Sequence, residues 1–152
     1  MDEGNSLINL GDLSKPATVL IERVSDAVGA VFKPYQIKRI AKAESEANKI
    51  KTLANIELSE IEERAMQRLV QEEAKKQENI ESITAQATMQ LNEDAKPEDI
   101  QSDWIVNVFD KCRLISDAEM QSLWANLLAG EANKPGSLSK RTIELVASLD
   151  SA

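Results

Sequence analysis

The sequence predicts an all-α protein: a short N-terminal amphipathic helix, a long Ala/Glu/Lys-rich helix with coiled-coil character, and a small C-terminal three-helix module. Three observations predict it. Five Gly and four Pro in 152 residues are too few for the turns of an all-β fold. Residues 35–91 contain neither, and are rich in Ala, Glu, Lys, Gln, Leu and Ile, which lose least on entering a helix. Apolar residues elsewhere recur every three or four positions, the spacing of one helix face.

Residues 1–13 are polar-leaning and unpatterned, and read as a loose tail. Ser14 can cap a helix with Pro16 in its first turn, where a missing N–H costs nothing. Ala17, Leu20, Ile21, Val24, Ala27, Val28, Val31 and Phe32 then form one apolar stripe, so residues 14–33 read as an amphipathic helix. Pro34 pushes Lys33 out of helical geometry and sets a break there.

The segment 35–91 reads as one long helix or a helical hairpin. A continuous helix of 57 residues would be about 85 Å long, which no compact domain of this size can cover along its whole length. Its apolar residues follow an eleven-residue repeat. One row is Ala47, Leu58, Leu69, Ile80, Leu91; a second is Ala43, Ala54, Ala65, Lys76, Ala87; a third is Ile50, Ile61, Glu72, Ile83. Eleven residues over three turns is nearly a straight helix with a gentle right-handed supercoil. Both polar exceptions, Glu72 and Lys76, fall in the polar run 71–79. Either the helix crosses solvent there, helped by a Glu72–Lys76 pair, or the chain turns back. Asn79 is the one residue that favours a turn, so continuity is the expectation.

Residues 97–150 read as the C-terminal module. Pro97-Glu98-Asp99 suits a helix N-terminus, with Trp104, Ile105, Val108, Phe109 and Cys112 following on one face. Ser116-Asp117-Ala118-Glu119 has the form of a capping box. It starts a helix carrying Met120, Leu123, Trp124, Leu127 and Leu128 that is expected to stop at Gly130. Pro135-Gly136 signals a turn within the loop 131–138, and Ser139 caps a last helix with Ile143, Val146 and Leu149. Trp104, Trp124 and Phe109 are the expected core of the module.

Histidine is absent and Cys112 is the single cysteine, which excludes a His-based triad, a disulfide framework and the common zinc sites. Adjacent acids such as Glu62-Glu63 and Glu72-Glu73 diverge on a helix rather than share a site. Asp99 and Asp103 have no ligand partner at a useful spacing. No catalytic residue, metal site or cofactor is therefore expected, and the chain reads as a non-enzyme. Eighteen basic and 26 acidic side chains give a net charge of -8, which opposes general nucleic-acid binding. From Lys33 to Lys51, however, six basic residues face two acidic ones, a local +4. Lys38, Arg39, Lys42, Lys49 and Lys51 are the candidate contact patch there. Lys134, Lys140 and Arg141 mark a second, in a loop suited to a partner.

No secretory signal or apolar run long enough for a membrane span is visible, and with an unpaired thiol the cytoplasm is the expected location.

The stretch ISDAEMQSLWANLLAGEANKPGSLSKRTIELVASLD (115–150), with KPYQIKRIAKAESEANKIKTLANIE (33–57) and EEAKKQENIESITAQA (72–87), resembles a bacterial family of unknown function, a DUF2806-like family. That family is similar to the alpha-type abortive-infection proteins, which implies a setting in defence against phage. Within it, LWANLLAGEANKPGSLSKRT (123–142) is the specific block. Such chains usually continue past the final SLD, so a truncated or shortened relative is expected. The family supplies no catalytic motif to carry over.

The expected function is that of a non-enzymatic helical scaffold, a homo-oligomer or the binder of a protein partner. The association stripe would be Ala43, Ala47, Ile50, Ala54, Leu58, Ile61, Ala65, Leu69, Ile80, Ile83, Ala87 and Leu91. The alternative is a peripheral protein at the inner membrane surface, laying helix 17–32 in the interface with the basic stretch 33–51 at the headgroups.

Overall fold

A computed structural model describes residues 14–29 and 59–149. Five helices make up the described residues: α1 (Lys15–Val28), α2 (Glu60–Thr88), α3 (Ser102–Cys112), α4 (Ala118–Asn133) and α5 (Lys140–Leu149). A single 3-10 turn, Pro97–Asp99, precedes α3, and no strand occurs among the described residues.

The Ser14 hydroxyl caps α1, accepting from the Ala17 N–H at 3.3 Å. The helix stops at Gly29, earlier than the predicted break at Lys33. Gly29 holds φ at +102°, a conformation that a side chain opposes, and its N–H closes on the Ser25 carbonyl. Ala17, Leu20, Ile21 and Val24 are buried against α3, the 3-10 turn and α2. The apolar face of α1 at these four residues is therefore part of the core.

The long helix is also corrected at its start. A continuous helix from Tyr35 does not exist, because Ser59 is extended (φ -62°, ψ 162°) and opens α2 with a capping box. The Ser59 hydroxyl accepts from the Glu62 N–H at 3.2 Å, and the Ser59 N–H donates to the Glu62 carboxylate at 3.1 Å. From there α2 runs unbroken through the polar run 71–79 to Thr88.

Half of α2 belongs to the core and half does not. From Asn79 onward it buries Ile80, Ile83, Thr84 and Ala87. α4 lies parallel to this half. Their hydrogen bonds step along the seam from Ser82–Gln121 to Ser122–Gln86, and finally to Asn133, whose amide donates to the Gln90 carbonyl. Trp124, Ala125 and Leu128 of α4 and Ile105, Val108 and Phe109 of α3 fill the centre, each almost wholly shielded from water. Burying side chains as large as Trp124 and Phe109 contributes roughly 2–3 kcal/mol each. The predicted aromatic core of Trp104, Phe109 and Trp124 is therefore present, with Cys112 buried beside it.

Three boundaries in the module differ from expectation. Pro97 opens only the 3-10 turn; Ile100 is extended and 2% exposed, so the chain bends to bury it before α3 begins at Ser102. The α4 cap is Asp117, whose carboxylate accepts from the Met120 N–H at 2.9 Å, whereas the Ser116 hydroxyl donates to Asn79 instead. α4 also passes through Gly130 and ends at Asn133; a Cβ at Gly130 would meet the Leu138 side chain at 3.7 Å. The last cap is as expected: the Thr142 N–H donates to the Ser139 hydroxyl.

Candidate interaction surface

The same face of α2 is core at one end and open at the other. Leu69 lies eleven residues before Ile80, Ile61 twenty-two before Ile83, and Ala65 twenty-two before Ala87. Eleven residues make three turns, so these six side chains share one side of the helix. Ile80, Ile83 and Ala87 are 8%, 0% and 0% exposed, while Ile61 is 71% and Leu69 56% exposed, with Ala65 exposed between them. Leu91, at the far end of the row, packs half-buried against the core. The predicted stripe is thus divided: its C-terminal part is covered within the chain, and its part on the first five turns of α2 is not. Ala43, Ala47, Ile50, Ala54 and Leu58, and the basic residues Lys38, Arg39, Lys42, Lys49 and Lys51, lie outside the described residues.

Charged side chains flank the open part. Arg68 pairs with Glu72 at 3.8 Å and Lys76 with Glu73 at 3.1 Å, in place of the expected Glu72–Lys76 pair. Such exposed pairs contribute at most a few tenths of a kcal/mol. At the N-terminal end, hydrogen bonds from the Ser59 backbone and then its hydroxyl hold the Glu62 carboxyl below the ordinary glutamate range.

A buried polar cluster marks where the open half begins. Asn79, 5% exposed, donates to the Arg113 carbonyl at 2.9 Å and accepts from Gln121 at 3.2 Å and Ser116 at 3.4 Å. Gln121 gives its second N–H to the Ile115 carbonyl at 2.8 Å and accepts from Ser82 at 2.9 Å. These contacts tie α2 to the α3–α4 turn and fix how far the first half of the helix extends.

The second candidate surface is the turn between α4 and α5. Glu131, expected in a loop, is instead a helical residue only 4% exposed. Its two carboxylate oxygens accept from the Gly136 and Leu138 N–H groups, both at 2.9 Å. The Trp104 indole N–H donates to the Leu138 carbonyl at 3.1 Å. The turn is therefore fastened from inside, with Gly136 at φ +86° completing it. Lys134, Lys140 and Arg141 are exposed on its outer side. An open cleft of about 480 Å³ lies beside it, lined by Asp99, Trp104, Glu131, Leu138 and Lys140 among others. From the sequence, Asn79 reads only as a residue favouring a turn and Glu131 only as part of a loop, and Gln121 is not singled out. Their one available signal was position, since each falls on an otherwise apolar face.

Among the described residues, no three His, Cys, Asp or Glu side chains gather in a way that could hold a metal ion, and no helix is long and apolar enough to cross a membrane.

Fold and surface together define an all-α domain that presents half of the longest described helix, and a fastened basic turn, to the outside. Residues 63–152 match the family model described as a protein of unknown function, DUF2806, and the chain belongs to that family. The match begins in the first turn of α2 and takes in α3, α4 and α5. α1 lies before it but shares the same core. Comparison with curated proteins and with solved structures finds no match.

Proposed function

We propose that this chain is a non-enzymatic helical scaffold that associates through the open face of α2, with a second copy or with a helix of a protein partner. One observation carries the reading: the core stripe continues into solvent as Ile61, Ala65 and Leu69. Single exposed apolar residues are ordinary, but a row in register with a buried stripe is a surface shaped for another helix. The fastened turn with Lys134, Lys140 and Arg141 is the second contact, suited to an acidic partner surface.

The setting we propose is bacterial defence against phage, in the cytoplasm. It is supported by the similarity of residues 33–57, 72–87 and 115–150 to sequences akin to the abortive-infection proteins. The membrane-surface alternative finds less support, because Leu20 and Val24 of α1 are fully buried.

The test is the mass of the purified chain by light scattering over a concentration series, beside Ile61→Glu/Leu69→Glu. Both side chains are exposed, so the double variant keeps its helicity. Association that rises with concentration in the parent and is lost in the variant supports the reading. A variant with the parent's mass at every concentration, and the parent's binding to any captured partner, ends it.

A further inference from the structure

Two exposed rows on the described surface match each other. On α2, Ile61, Ala65 and Leu69 stand at positions i, i+4 and i+8; on α5, Arg141, Leu145 and Leu149 do the same. Each row is about 12 Å long at helical rise, and steps of four keep its members on one side of the helix. Leu145 is 65% and Leu149 55% exposed, close to the values for Ile61 and Leu69. α5 turns Ile143 and Val146 into the core, so packing within the described residues leaves its outer row uncovered.

The two rows belong to different parts of the molecule. α5 is held against α3, with Lys111 and Glu144 paired at 3.0 Å across the contact. Leu69 and Ile61 lie about 16 and 28 Å along α2 from Ile80, where its apolar core residues begin. All four large side chains are exposed in the single chain, so a contact between the rows joins two copies.

Charge selects that pairing over the symmetric one. Residues 60–73 carry five acids (Glu60, Glu62, Glu63, Glu72, Glu73) against Arg64 and Arg68, -3. Residues 134–149 carry Lys134, Lys140 and Arg141 against Glu144, +2. Laying α2 on the α2 of a second copy sets -3 against -3, whereas laying α5 on it sets +2 against -3. Like charges across a contact cost stability, and opposite charges steer the encounter and fix its register. The acids stand at both ends of the open row, so Arg141 meets carboxylates whichever way α5 runs. In both directions Leu145 falls over Ala65, the small residue in the middle, and Leu149 meets Ile61 or Leu69. The basic turn is already fixed by the Glu131 carboxylate, so presenting it has little ordering cost.

We infer that the outer face of α5 and its basic turn (Lys134, Lys140, Arg141, Leu145 and Leu149) receive the open face of α2 from a second copy, so that copies join head to tail rather than α2 to α2. The inference rests on the reading of the α2 face as an association surface and adds what that face meets. One such contact leaves an unused α2 face on one copy and an unused α5 face on the other, and growth continues unless those two close on each other.

Complementation between two variants of the full chain tests this. Ile61→Glu/Leu69→Glu blocks the α2 row, and Leu145→Glu/Leu149→Glu blocks the α5 row. All four side chains are exposed, and circular dichroism checks that each variant keeps the parent's helicity. Light scattering over a concentration series is expected to show association in the parent and none in either variant alone. Mixing the variants should restore a pair with one copy of each, because the first retains its α5 face and the second its α2 face. An α5 variant that associates alone as the parent does overturns the inference while leaving association through α2 intact. Two monomeric variants that do not pair on mixing also overturn it. A parent that is monomeric at every concentration overturns it and leaves the α2 face to a partner of another sequence. An α2 variant that associates like the parent ends both readings. Lys140→Glu/Arg141→Glu supplies an independent readout with the apolar rows in place. Acids suit the first turn of a helix, so α5 is kept, and association at low salt is expected to weaken at least about tenfold. Unchanged association in that variant counts against the inference.

Discussion

Asn79 of α2 and Gln121 of α4 meet side by side in the interior, the Gln121 amide donating to Asn79 Oδ1 at 3.2 Å. Around this bond both amides are satisfied by the Arg113 and Ile115 carbonyls and the Ser116 and Ser82 hydroxyls. A polar cluster of this kind tolerates one registry only, because a shift of α2 by one turn would leave several buried groups unpaired. The cluster sits where α2 stops being core, and so sets the reach of the open half.

Replacing Asn79 with Ala should therefore cost more than the lost volume. The Gln121 amide and the Arg113 carbonyl would each lose a partner in the interior, a penalty of about 2–3 kcal/mol together. Urea unfolding followed by circular dichroism checks this. A midpoint within error of the parent would mean that water enters and satisfies the cluster.

Glu131 performs the same service for the α4–α5 turn, with each carboxylate oxygen taking one backbone N–H. Glu131→Gln keeps the size but offers one accepting oxygen, so either Gly136 or Leu138 is left with a donor facing a donor. A loss of about 1–2 kcal/mol is expected, with faster hydrogen exchange confined to residues 134–140. Uniform exchange across the whole module would show instead that the turn is integral to the core.

How much of this was legible in advance depends on where the determining signal lay. The helices and the aromatic core were, because Trp104, Ile105, Val108, Phe109 and Cys112 on one helix, and Met120, Trp124, Leu127 and Leu128 on another, recur at the three- and four-residue spacings that bring side chains to one helix face. The start of α2 was misplaced because composition outweighed a local signal: Ser59 and Glu62 form a capping box inside a run with no Gly or Pro. Gly130 was misread as a stop because a glycine within a helix and one beyond its end look alike in sequence; the closeness of Leu138 separates them. The polar residues Asn79, Gln121 and Glu131 could be placed only once the long-range packing was known. The division of the α2 stripe into a covered and an open part follows from where α4 begins to pack, which periodicity does not contain.

The capping box of α2 predicts a pH response. Its hydrogen bonds hold the Glu62 carboxyl below its ordinary value, so the charged form is favoured in the folded helix. A lowered folded-state value means that the stabilisation is fully present above the unfolded glutamate range, about 4.3, and is lost as pH falls through the folded value. The first turn of α2 should loosen on acidification, seen as faster exchange or a chemical-shift change at the Ser59 and Glu62 amides. Glu62→Gln should flatten that dependence. An unchanged dependence in the variant would show that Glu62 is not its source.

Two glycines should respond to alanine in opposite directions. Gly29 ends α1 at φ +102°, where a Cβ strains the backbone although no atom lies within 4 Å of it, so Gly29→Ala should destabilise by about 1 kcal/mol. Gly130 lies inside α4, and its added Cβ would touch only the Leu138 side chain, at the ordinary contact distance of 3.7 Å. There alanine removes the entropic disadvantage of glycine in a helix and buries one more methyl, so Gly130→Ala should stabilise by roughly 0.5–1 kcal/mol. Thermal melts of the two variants beside the parent decide the matter: a lower melting temperature for Gly130→Ala would mean that the α4–α5 turn needs to close more tightly on α4 than a methyl group allows.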